Sequence, residues 1–524
     1  MSRHLETSST SSTISSNDNR NKLLGVIYGI GMNVNDIIGA GIFTTPGIVW
    51  KQVKSPYVVI ILWIIGGIVS FCGSLVYTEF GITHQDSGGE TIYLASSFPQ
   101  PKMLASYLFS FMFIFIIRPG IICAVLQSAA QYAWYTFEGK SPSIDSSSNG
   151  WSNEFKPYWI LKLISVMLLL LITGYHMLSN RWANRINQAL AVIKMITIII
   201  IALSGMSKYH DTGNWKLTLE SPDSKFSVLT PYSVAIIEVF FSYNGWNNLN
   251  YSLDEFRNPE KKLRMSNSYS VGIVAILYLM VNIAFISAVP PQLVIGTSTE
   301  HFNETIAADF FFMIFNSVVV SRILSFFVVL SAIGTAATSI WSGSRVIVSA
   351  AKSNFFPIFS DELESRHNTF ETPVNALFTQ FIWCAFLMLI VSSSVVVDVF
   401  ILFTSISMFS SWIFYIITGI GLLVFRKSQG YNSKLLLTIV NYLFIFSGFG
   451  IVGLAFFFIP RPKVSYLNNI SFIFITFIAL IVGMLLWFVL FYRPHLKEKS
   501  RRRWTSEIST QVKIQIAATL AESK

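Results

Sequence analysis

The chain has 524 residues, of which 52% are hydrophobic and 12% are charged, whereas an average soluble chain carries about 25% charged residues. Apolar runs such as 58–76 and 470–490 match the ~20 residues that a helix needs to cross ~30 Å of hydrocarbon. Composition therefore excludes a soluble globular protein. The net charge of +10 would also fit a nucleic-acid-binding protein. The positions of the basic residues distinguish nucleic-acid binding from a role in membrane orientation.

The apolar runs predict an all-α membrane protein with about twelve transmembrane helices. These spans are predicted at 22–52, 56–81, 105–134, 157–178, 186–206, 231–255, 268–290, 318–350, 373–394, 397–425, 434–459 and 469–492.

The basic residues follow the predicted topology. With both termini in the cytoplasm, most of the lysines and arginines fall in the termini and the cytoplasmic loops, as the positive-inside rule requires. A basic cluster at 493–503 follows the last span, where anionic lipid headgroups attract it. The positive charge thus indicates orientation and contact with lipid, and no nucleic-acid partner is expected. We predict a disordered cytoplasmic tail at 1–21 and a basic cytoplasmic tail at 493–524.

The first and sixth spans are interrupted by glycine, at 39–41 in span 1 and at 242–248 in span 6. Glycine weakens a helix by about 1 kcal/mol relative to alanine. A break inside the membrane is tolerated only where protein or a water-filled cavity satisfies the freed backbone groups. Breaks five spans apart fit an inverted repeat with a midplane substrate site. The alternative is that these glycines merely permit close helix packing.

The repeat hypothesis divides the chain into a first five-helix repeat at 22–206 and a second at 231–425. Two extra helices at 434–492 follow the second repeat.

Backbone groups at such breaks suit a zwitterion. N–H groups at the start of a half-helix carry partial positive charge and favour a carboxylate, while carbonyls at the end of a half-helix favour an ammonium. We predict that 40–42 bind the carboxylate and 241–243 the amine of an α-amino acid. The candidate substrate-binding residues are Ile38, Gly39, Ala40, Gly41, Ile42, Phe241, Ser242, Tyr243, Asn244, Gly245 and Trp246. The three aromatic rings among them are candidates for the side-chain pocket, with ordinary packing as the alternative.

Several motifs resemble those of one transporter superfamily. Ile38-Gly39-Ala40-Gly41-Ile42-Phe43, followed by Pro46, resembles the span-1 signature of the amino acid–polyamine–organocation superfamily. The run 243–251, with Glu255 and Asn258-Pro259 after it, resembles the span-6 signature of the L-type amino-acid transporter branch. Further matches to that branch are Ile117-Arg118-Pro119 and Gly343-Ser344-Arg345, and Ala307-Ala308-Asp309-Phe310-Phe311 resembles the fungal methionine-permease subgroup.

This resemblance implies the five-plus-five fold with two extra helices, and amino-acid transport by alternating access. It also implies an aromatic gate over the substrate, carried here by Phe241. Animal members of the branch tether a glycoprotein through a cysteine in the loop after span 3. Loop 139–156 contains no cysteine, and Cys72, Cys123 and Cys384 lie in apolar spans. No disulfide-linked heavy subunit is therefore expected.

Three ionisable residues inside the spans are candidates for coupling, because a charge in the membrane is costly and is a functional hypothesis by default. Lys194 lies in span 5, where the resemblance implies that its ammonium replaces a sodium ion of relatives and that its deprotonation couples transport to H+. Asp36 and Glu238 stand beside the two breaks. Either carboxylate could pair with Lys194, hold a proton or favour a cationic substrate. A purely structural role is the alternative for all three.

The sequence contains neither a phosphate-binding loop nor a metal-ligand pattern of histidines, so no enzyme activity, cofactor or metal is expected. We predict a secondary active transporter of neutral L-amino acids, methionine being the best single guess, driven by H+ in the plasma membrane. Alternatives are a cationic amino-acid or polyamine carrier, suggested by Asp36 and Glu238, and an amino-acid exchanger. A different class of protein, a nutrient-sensing receptor with little flux, also stays open.

Overall fold

The structure, a computed structural model, describes 25–101, 103–139, 151–207, 212–215, 229–253, 259–295, 306–391, 396–430, 434–457 and 472–494. The predicted tail at 1–21 lies outside the described residues, as do residues 495–524 of the predicted tail at 493–524. Most of loop 139–156 and the signature residues Glu255 and Asn258 also lie outside them. The described part of the chain is helical and contains no strand.

Within the described residues, ten helical segments are long and apolar enough to cross a membrane. Two further segments, the interrupted 229–251 and the shorter Val374–Ile390, bring the number to the twelve that the apolar runs predict. The spans are span 1 (Val26–Val53), span 2 (Pro56–Thr83), span 3 (Leu104–Glu138), span 4 (Trp151–Leu178), span 5 (Asn180–Met206), span 6 (229–251), span 7 (Pro259–Ala288), span 8 (Val318–Lys352), span 9 (Val374–Ile390), span 10 (Val396–Gln429), span 11 (Leu435–Phe457) and span 12 (Phe472–Tyr492). The predicted all-α, twelve-helix membrane fold is confirmed.

Short helices connect some of the spans. Glu90–Ser97, which we call the 2–3 helix, lies between spans 2 and 3. Pro291–Ile295 and Ile306–Phe315 lie between spans 7 and 8, and Ser360–Glu364 lies between spans 8 and 9.

Span 1 consists of two half-helices, span 1a (Val26–Ile37) and span 1b (Ala40–Val53), separated by Ile38 and Gly39. Glycine is required here by close approach of neighbouring elements. A Cβ atom on Gly39 would lie 2.5 Å from the hydroxyl oxygen of Thr335, and one on Gly41 would lie 2.7 Å from the Cα atom of Ser242. The glycines therefore let span 1b pack directly on the backbone of span 6 and on span 8.

Span 6 is helical over Leu229–Ser242, which we call span 6a. A turn at 243–247 follows, and a short 3-10 helix, Asn248–Tyr251, completes the span. Gly245 lies in the turn with φ +108°, a backbone conformation that residues with a Cβ atom rarely adopt. The sequence thus interrupts the helix at the position where the glycine permits the chain to turn.

The two interrupted spans lie inside the bundle. In its most apolar 18-residue window, span 1 is 72% buried, whereas spans 11 and 12 are each 28% buried. Apolar side chains such as Phe446, Phe474 and Leu485 are instead exposed on the outer surface, as contact with lipid hydrocarbon requires. Spans 11 and 12 therefore lie at the periphery and the two breaks lie at the centre.

Candidate functional site

A small cavity lies where the breaks of spans 1 and 6 meet. Six of its lining residues were predicted from sequence, namely Asp36, Gly39, Ala40, Gly41, Phe241 and Asn244. The rest of the lining comes from span 1a and from the unbroken spans 3 and 8, namely Ile37, Ile121, Val125, Thr335 and Ser339. The wall formed by spans 3 and 8 was not predicted, because no local signal in the sequence shows which face of an unbroken apolar helix points inward.

One side of the cavity presents the start of span 1b. Ala40, Gly41 and Ile42 are the first residues of this half-helix, and first-turn N–H groups have no acceptor within their own helix. They carry the positive end of the helix dipole, and Gly39 and Gly41 leave them without shielding side chains. This end of the cavity can therefore bind a carboxylate or another small anion.

The opposite end of the same break is occupied by Lys194. Its Nζ atom donates to the carbonyl oxygens of Asn35 at 2.7 Å and Ile38 at 2.5 Å. Nζ also lies 3.2 Å from Oγ1 of Thr335 in span 8. Lys194 is fully buried. The ammonium thus satisfies the carbonyls that the end of span 1a leaves without a helical donor.

The carbonyls at the end of span 6a are largely satisfied within the protein. The backbone N–H of Asn244 donates to the carbonyl of Phe241 at 3.1 Å. The hydroxyl of Tyr278 in span 7 lies 3.0 Å from the carbonyl oxygen of Ser242 and 2.7 Å from that of Ile37. Tyr278 therefore bridges the two breaks, and two of the three carbonyls predicted to hold an amine already have a protein donor.

Asp36 offers a different acceptor for a cation. Its side chain is buried, and Oδ1 accepts hydrogen bonds from Thr338 at 2.8 Å and Ser339 at 3.1 Å. Oδ2 has no hydrogen-bond partner within the described part of the chain, and the residue lines the cavity. A buried carboxylate oxygen without a partner is costly, so a bound ammonium group would be favoured there.

The third ionisable candidate lies elsewhere. Glu238 is fully buried, and its Oε1 accepts a hydrogen bond of 2.6 Å from Thr404 in span 10. The structure therefore places Glu238 against span 10 and Lys194 against spans 1 and 8. The three candidates do not form one cluster.

The predicted aromatic residues also separate. Phe241 lines the cavity and packs edge-on against Phe400, with ring centroids 5.6 Å apart. The Tyr243 hydroxyl instead donates to the carbonyl of Trp63 in span 2 at 3.0 Å. Trp246 packs against Tyr77 in span 2, with ring centroids 4.9 Å apart. Tyr243 and Trp246 thus contact span 2, away from the cavity that Phe241 lines.

A second, polar pocket adjoins the first and shares Asn244 with it. It is lined by Arg118 of span 3, by Glu90 of the 2–3 helix and by the turn of span 6. The Arg118 guanidinium donates to Ser339 at 3.2 Å and lies over the rings of Phe113 and Tyr251. Glu90 was not predicted as a site residue, because a glutamate between two spans resembles an ordinary interfacial charge in the sequence.

Comparison with known proteins finds a matching family model and similar proteins. Residues 24–484 match the family model described as amino acid permease. The chain is 27% identical over 430 residues to the b(0,+)-type amino acid transporter 1 of Mus musculus, a match that covers 82% of this chain and 80% of that protein. It is 26% identical over 412 residues to the large neutral amino acids transporter small subunit 2 of Homo sapiens, covering 77% and 70%.

A fungal permease is similar as well. The chain is 25% identical over 376 residues to the high-affinity methionine permease of Saccharomyces cerevisiae, a match that covers 70% of this chain and 60% of that protein. These matches confirm the resemblance drawn from the motifs of spans 1 and 6. The relatives are transporters and not enzymes.

Proposed function

The chain belongs to the amino acid permease family, and from that premise we propose that it is a secondary active transporter of neutral L-amino acids, with methionine as the first substrate to test. The substrate binds in the cavity between the breaks of spans 1 and 6, and alternating access moves the surrounding helices around it. On this proposal 22–206 and 231–425 are the two five-helix repeats, and Phe241 is the aromatic gate.

One observation carries the proposal, namely that the cavity has chemically opposite ends. The N–H groups of Ala40, Gly41 and Ile42 begin a half-helix on one side, and Oδ2 of Asp36 lacks a partner among the described residues on the other. An α-amino acid carries a carboxylate and an ammonium on one carbon atom, so it complements both ends. Asp36 replaces the span-6 carbonyls as the main acceptor for the amine, since two of those carbonyls already have donors.

The remaining walls support a neutral side chain. Ile121, Val125 and Phe241 are apolar and line the same cavity, so a thioether or branched alkyl group would be buried without leaving polar atoms unpaired. If Asp36 instead binds a cationic side chain, the protein carries cationic amino acids or polyamines. This second candidate function is supported by Oδ2 of Asp36, which has no partner among the described residues.

We propose H+ as the driving ion, with Lys194 as the coupling residue. A protonated lysine has three N–H donors, whereas a neutral one has two and a lone pair. Nζ lies near three oxygens, those of Asn35, Ile38 and Thr335. Loss of the proton would therefore weaken at least one contact at the end of span 1a, which links protonation to the geometry of the break. Asp36 and Glu238 stay secondary candidates for coupling, and amino-acid exchange without H+ is the competing mechanism.

The protein is integral to the membrane. We propose that this membrane is the plasma membrane, that both termini lie in the cytoplasm and that lipid surrounds the helices. We also propose that the chain works without a disulfide-linked heavy subunit, because its three cysteines are buried in spans 2, 3 and 9.

The test is uptake of labelled methionine by cells that lack their own carriers, at external pH 5 and pH 7.5. Proton symport predicts faster uptake at pH 5 and its loss with a protonophore. Uptake that is independent of external pH but requires preloaded amino acid would establish exchange. Inhibition by arginine or spermidine but not by leucine would favour the cationic carrier. Saturable binding with negligible uptake would identify a receptor.

A further inference from the structure

Glu90 is a buried acid that the proposed transport mechanism does not use. It is the first residue of the 2–3 helix and has 0% of its surface exposed. Gly88 and Gly89 precede it with φ of +139° and +55°, values that glycine adopts most readily. A Cβ atom on Gly89 would lie 2.6 Å from the ring of Tyr251. The two glycines thus turn the chain so that the carboxyl group points into the bundle.

One carboxylate oxygen of Glu90 accepts three hydrogen bonds. Oε1 accepts hydrogen bonds from the hydroxyl of Tyr77 at 2.8 Å, the hydroxyl of Tyr251 at 3.2 Å and Nδ2 of Asn247 at 3.2 Å. Asn247 ends the turn of span 6, Tyr251 belongs to the 3-10 helix that follows this turn, and Tyr77 belongs to span 2. Oε2 has no partner among the described residues. The carboxyl group therefore connects the 2–3 helix to the turn and the 3-10 helix of span 6. Its second oxygen can bind a proton.

The position of Glu90 relates it to the substrate cavity. Its polar pocket contains Asn244, which also lines that cavity, and Arg118. Arg118 acts electrostatically on both Glu90 and Asp36. In the described part of the chain, Arg118 forms no ion pair within 4 Å with either acid. Glu90 and Asp36 therefore share one neighbouring cation, so the charge of Glu90 changes the electrostatic environment of the group that also acts on Asp36.

The groups that face Glu90 limit what else can titrate in this pocket. Five elements contribute them: Tyr77 from span 2, Tyr93 from the 2–3 helix, Arg118 from span 3, Tyr251 from span 6 and Tyr415 from span 10. Span 8 contributes the hydroxyl of Ser339, which binds Arg118. Tyrosines and arginine ordinarily titrate at pH ~10 and above, so the carboxyl group is the member of this set that can change charge near neutral pH.

Burial brings the ionisation of Glu90 into the physiological pH range. It raises the pKa of Glu90 from 4.5 to about 7. The backbone N–H of Glu90, the hydroxyls of Tyr77 and Tyr251 and the charge of Arg118 oppose the rise, because each favours the ionised form. Water entering the pocket would remove the cost of burial and return the pKa toward its ordinary value. Opening of the pocket therefore favours release of a proton.

We propose that Glu90 is a proton-binding site, which holds a proton while its pocket is closed and releases it when the pocket opens toward the side predicted to be cytoplasmic. In this step the carboxylic acid becomes a carboxylate and the proton passes to water. The release favours the open state, so it links separation of the 2–3 helix from span 6 to proton movement. The role of this site in flux rests on the proposed transport function, whereas proton binding itself does not.

Proton binding is tested on the purified protein by infrared difference spectroscopy of carboxylic acid groups between pH 5 and pH 9. We expect a band that titrates near pH 7 in the unmodified protein and is missing in Glu90→Gln. The control is Glu79→Gln, since Glu79 is another buried acid but is held by Arg426 at 2.7 and 2.5 Å; this variant should keep the band. An identical titration in Glu90→Gln would overturn the proposal.

A second variant keeps the test decisive if Glu90→Gln fails to fold. Tyr77→Phe removes a donor to the ionised carboxylate while retaining the ring that packs on Trp246. The midpoint of the band should then move to higher pH, because the ionised form loses a hydrogen bond. An unchanged midpoint would contradict the assignment of the band to Glu90.

The role in transport is tested by exchange of labelled methionine, leucine and arginine in proteoliposomes with equal pH on both sides. Exchange requires no net proton movement, so it is measurable even if transport is not driven by H+. We expect the exchange rate to change between pH 6 and pH 8 in the unmodified protein and to lose this dependence in Glu90→Gln. A variant with a lower rate but an unchanged pH profile would overturn the role of Glu90 in transport. Absence of exchange with all three amino acids would refute the proposed function, while the infrared titration would still decide proton binding.

Discussion

A Cβ atom on Gly245 would lie 2.7 Å from Oδ2 of Asp36, so the turn of span 6 fits against the carboxylate of span 1a only because residue 245 is glycine. The same glycine has φ +108°. The two breaks are therefore fitted to each other across the cavity, and the acid that we assign to the substrate amine is positioned by the backbone of the other break.

Gly245→Ala should abolish transport, since the added methyl group meets Asp36 and the backbone is strained at positive φ. Gly272→Ala in span 7 is the matched control, because a Cβ atom there has no neighbour within 4 Å, and it should leave transport intact. Uptake per molecule of protein at the cell surface measures both. Normal uptake by Gly245→Ala would show that the fit between the breaks is not needed.

Asp36→Asn should reduce uptake of neutral amino acids at least tenfold, because the amide keeps the size of the side chain but removes the charge that faces the ammonium. Binding of all α-amino acids should weaken alike if Asp36 binds the α-amine. A loss limited to arginine and lysine would instead assign Asp36 to a cationic side chain. Competition against labelled methionine distinguishes the two outcomes.

Lys194→Met should abolish the accumulation of methionine that an inward proton gradient drives, while exchange of preloaded amino acid persists at a reduced rate. The reduction follows because the carbonyls of Asn35 and Ile38 lose a charged donor and keep only hydroxyl donors from span 8, and a hydrogen bond to a charged group contributes about 1.5–3 kcal/mol. Lys162→Met is the control, since Lys162 is also buried but donates to the carbonyl of Leu389, away from the breaks. Accumulation driven by a proton gradient that survives in Lys194→Met would refute its coupling role.

Stability should depend on pH through Glu90. Its pKa is raised by burial from 4.5 to about 7, so the folded protein binds the proton more tightly than the unfolded chain does. The associated stabilisation is complete below pH ~4.5 and is lost as the pH rises through about 7, at about 1.4 kcal/mol per pKa unit. Thermal unfolding in detergent should therefore show that the stability of Glu90→Gln relative to the unmodified protein increases as the pH rises from 5 to 8. A constant difference across this range would contradict the raised pKa.

The features that the sequence predicts well are those with local chemical signals. Apolar runs of sufficient length predict the twelve helices, because the hydrocarbon thickness sets a minimum length for each. Two glycines at 39–41 in span 1 and the single Gly245 in span 6 predict the two breaks, since a helix interior disfavours glycine. The side chain of Lys194 could likewise be singled out from its charge alone, although its contacts with Asn35 and Ile38 could not.

The features that the sequence does not predict depend on the direction in which a side chain points. Tyr243 and Trp246 adjoin Phe241 in sequence, yet the unwound turn rotates them toward span 2. Tyr278 lies in an ordinary apolar helix, and its bridging role follows only from the packing of span 7 against both breaks. Glu90 lies between spans, and its burial arises from the turn at Gly88 and Gly89 rather than from any apolar pattern.

On this proposal the first N–H groups of span 1b and the carboxylate of Asp36 recognise the two charges of an α-amino acid, and competition by modified methionine tests this recognition. We would measure inhibition of labelled methionine uptake by unlabelled methionine, by its carboxamide and by the analogue that lacks the amino group. We expect each modified compound to inhibit at least tenfold more weakly than methionine, a loss of binding free energy of about 1.4 kcal/mol or more. Equal inhibition by all three compounds would contradict recognition of the substrate at the breaks.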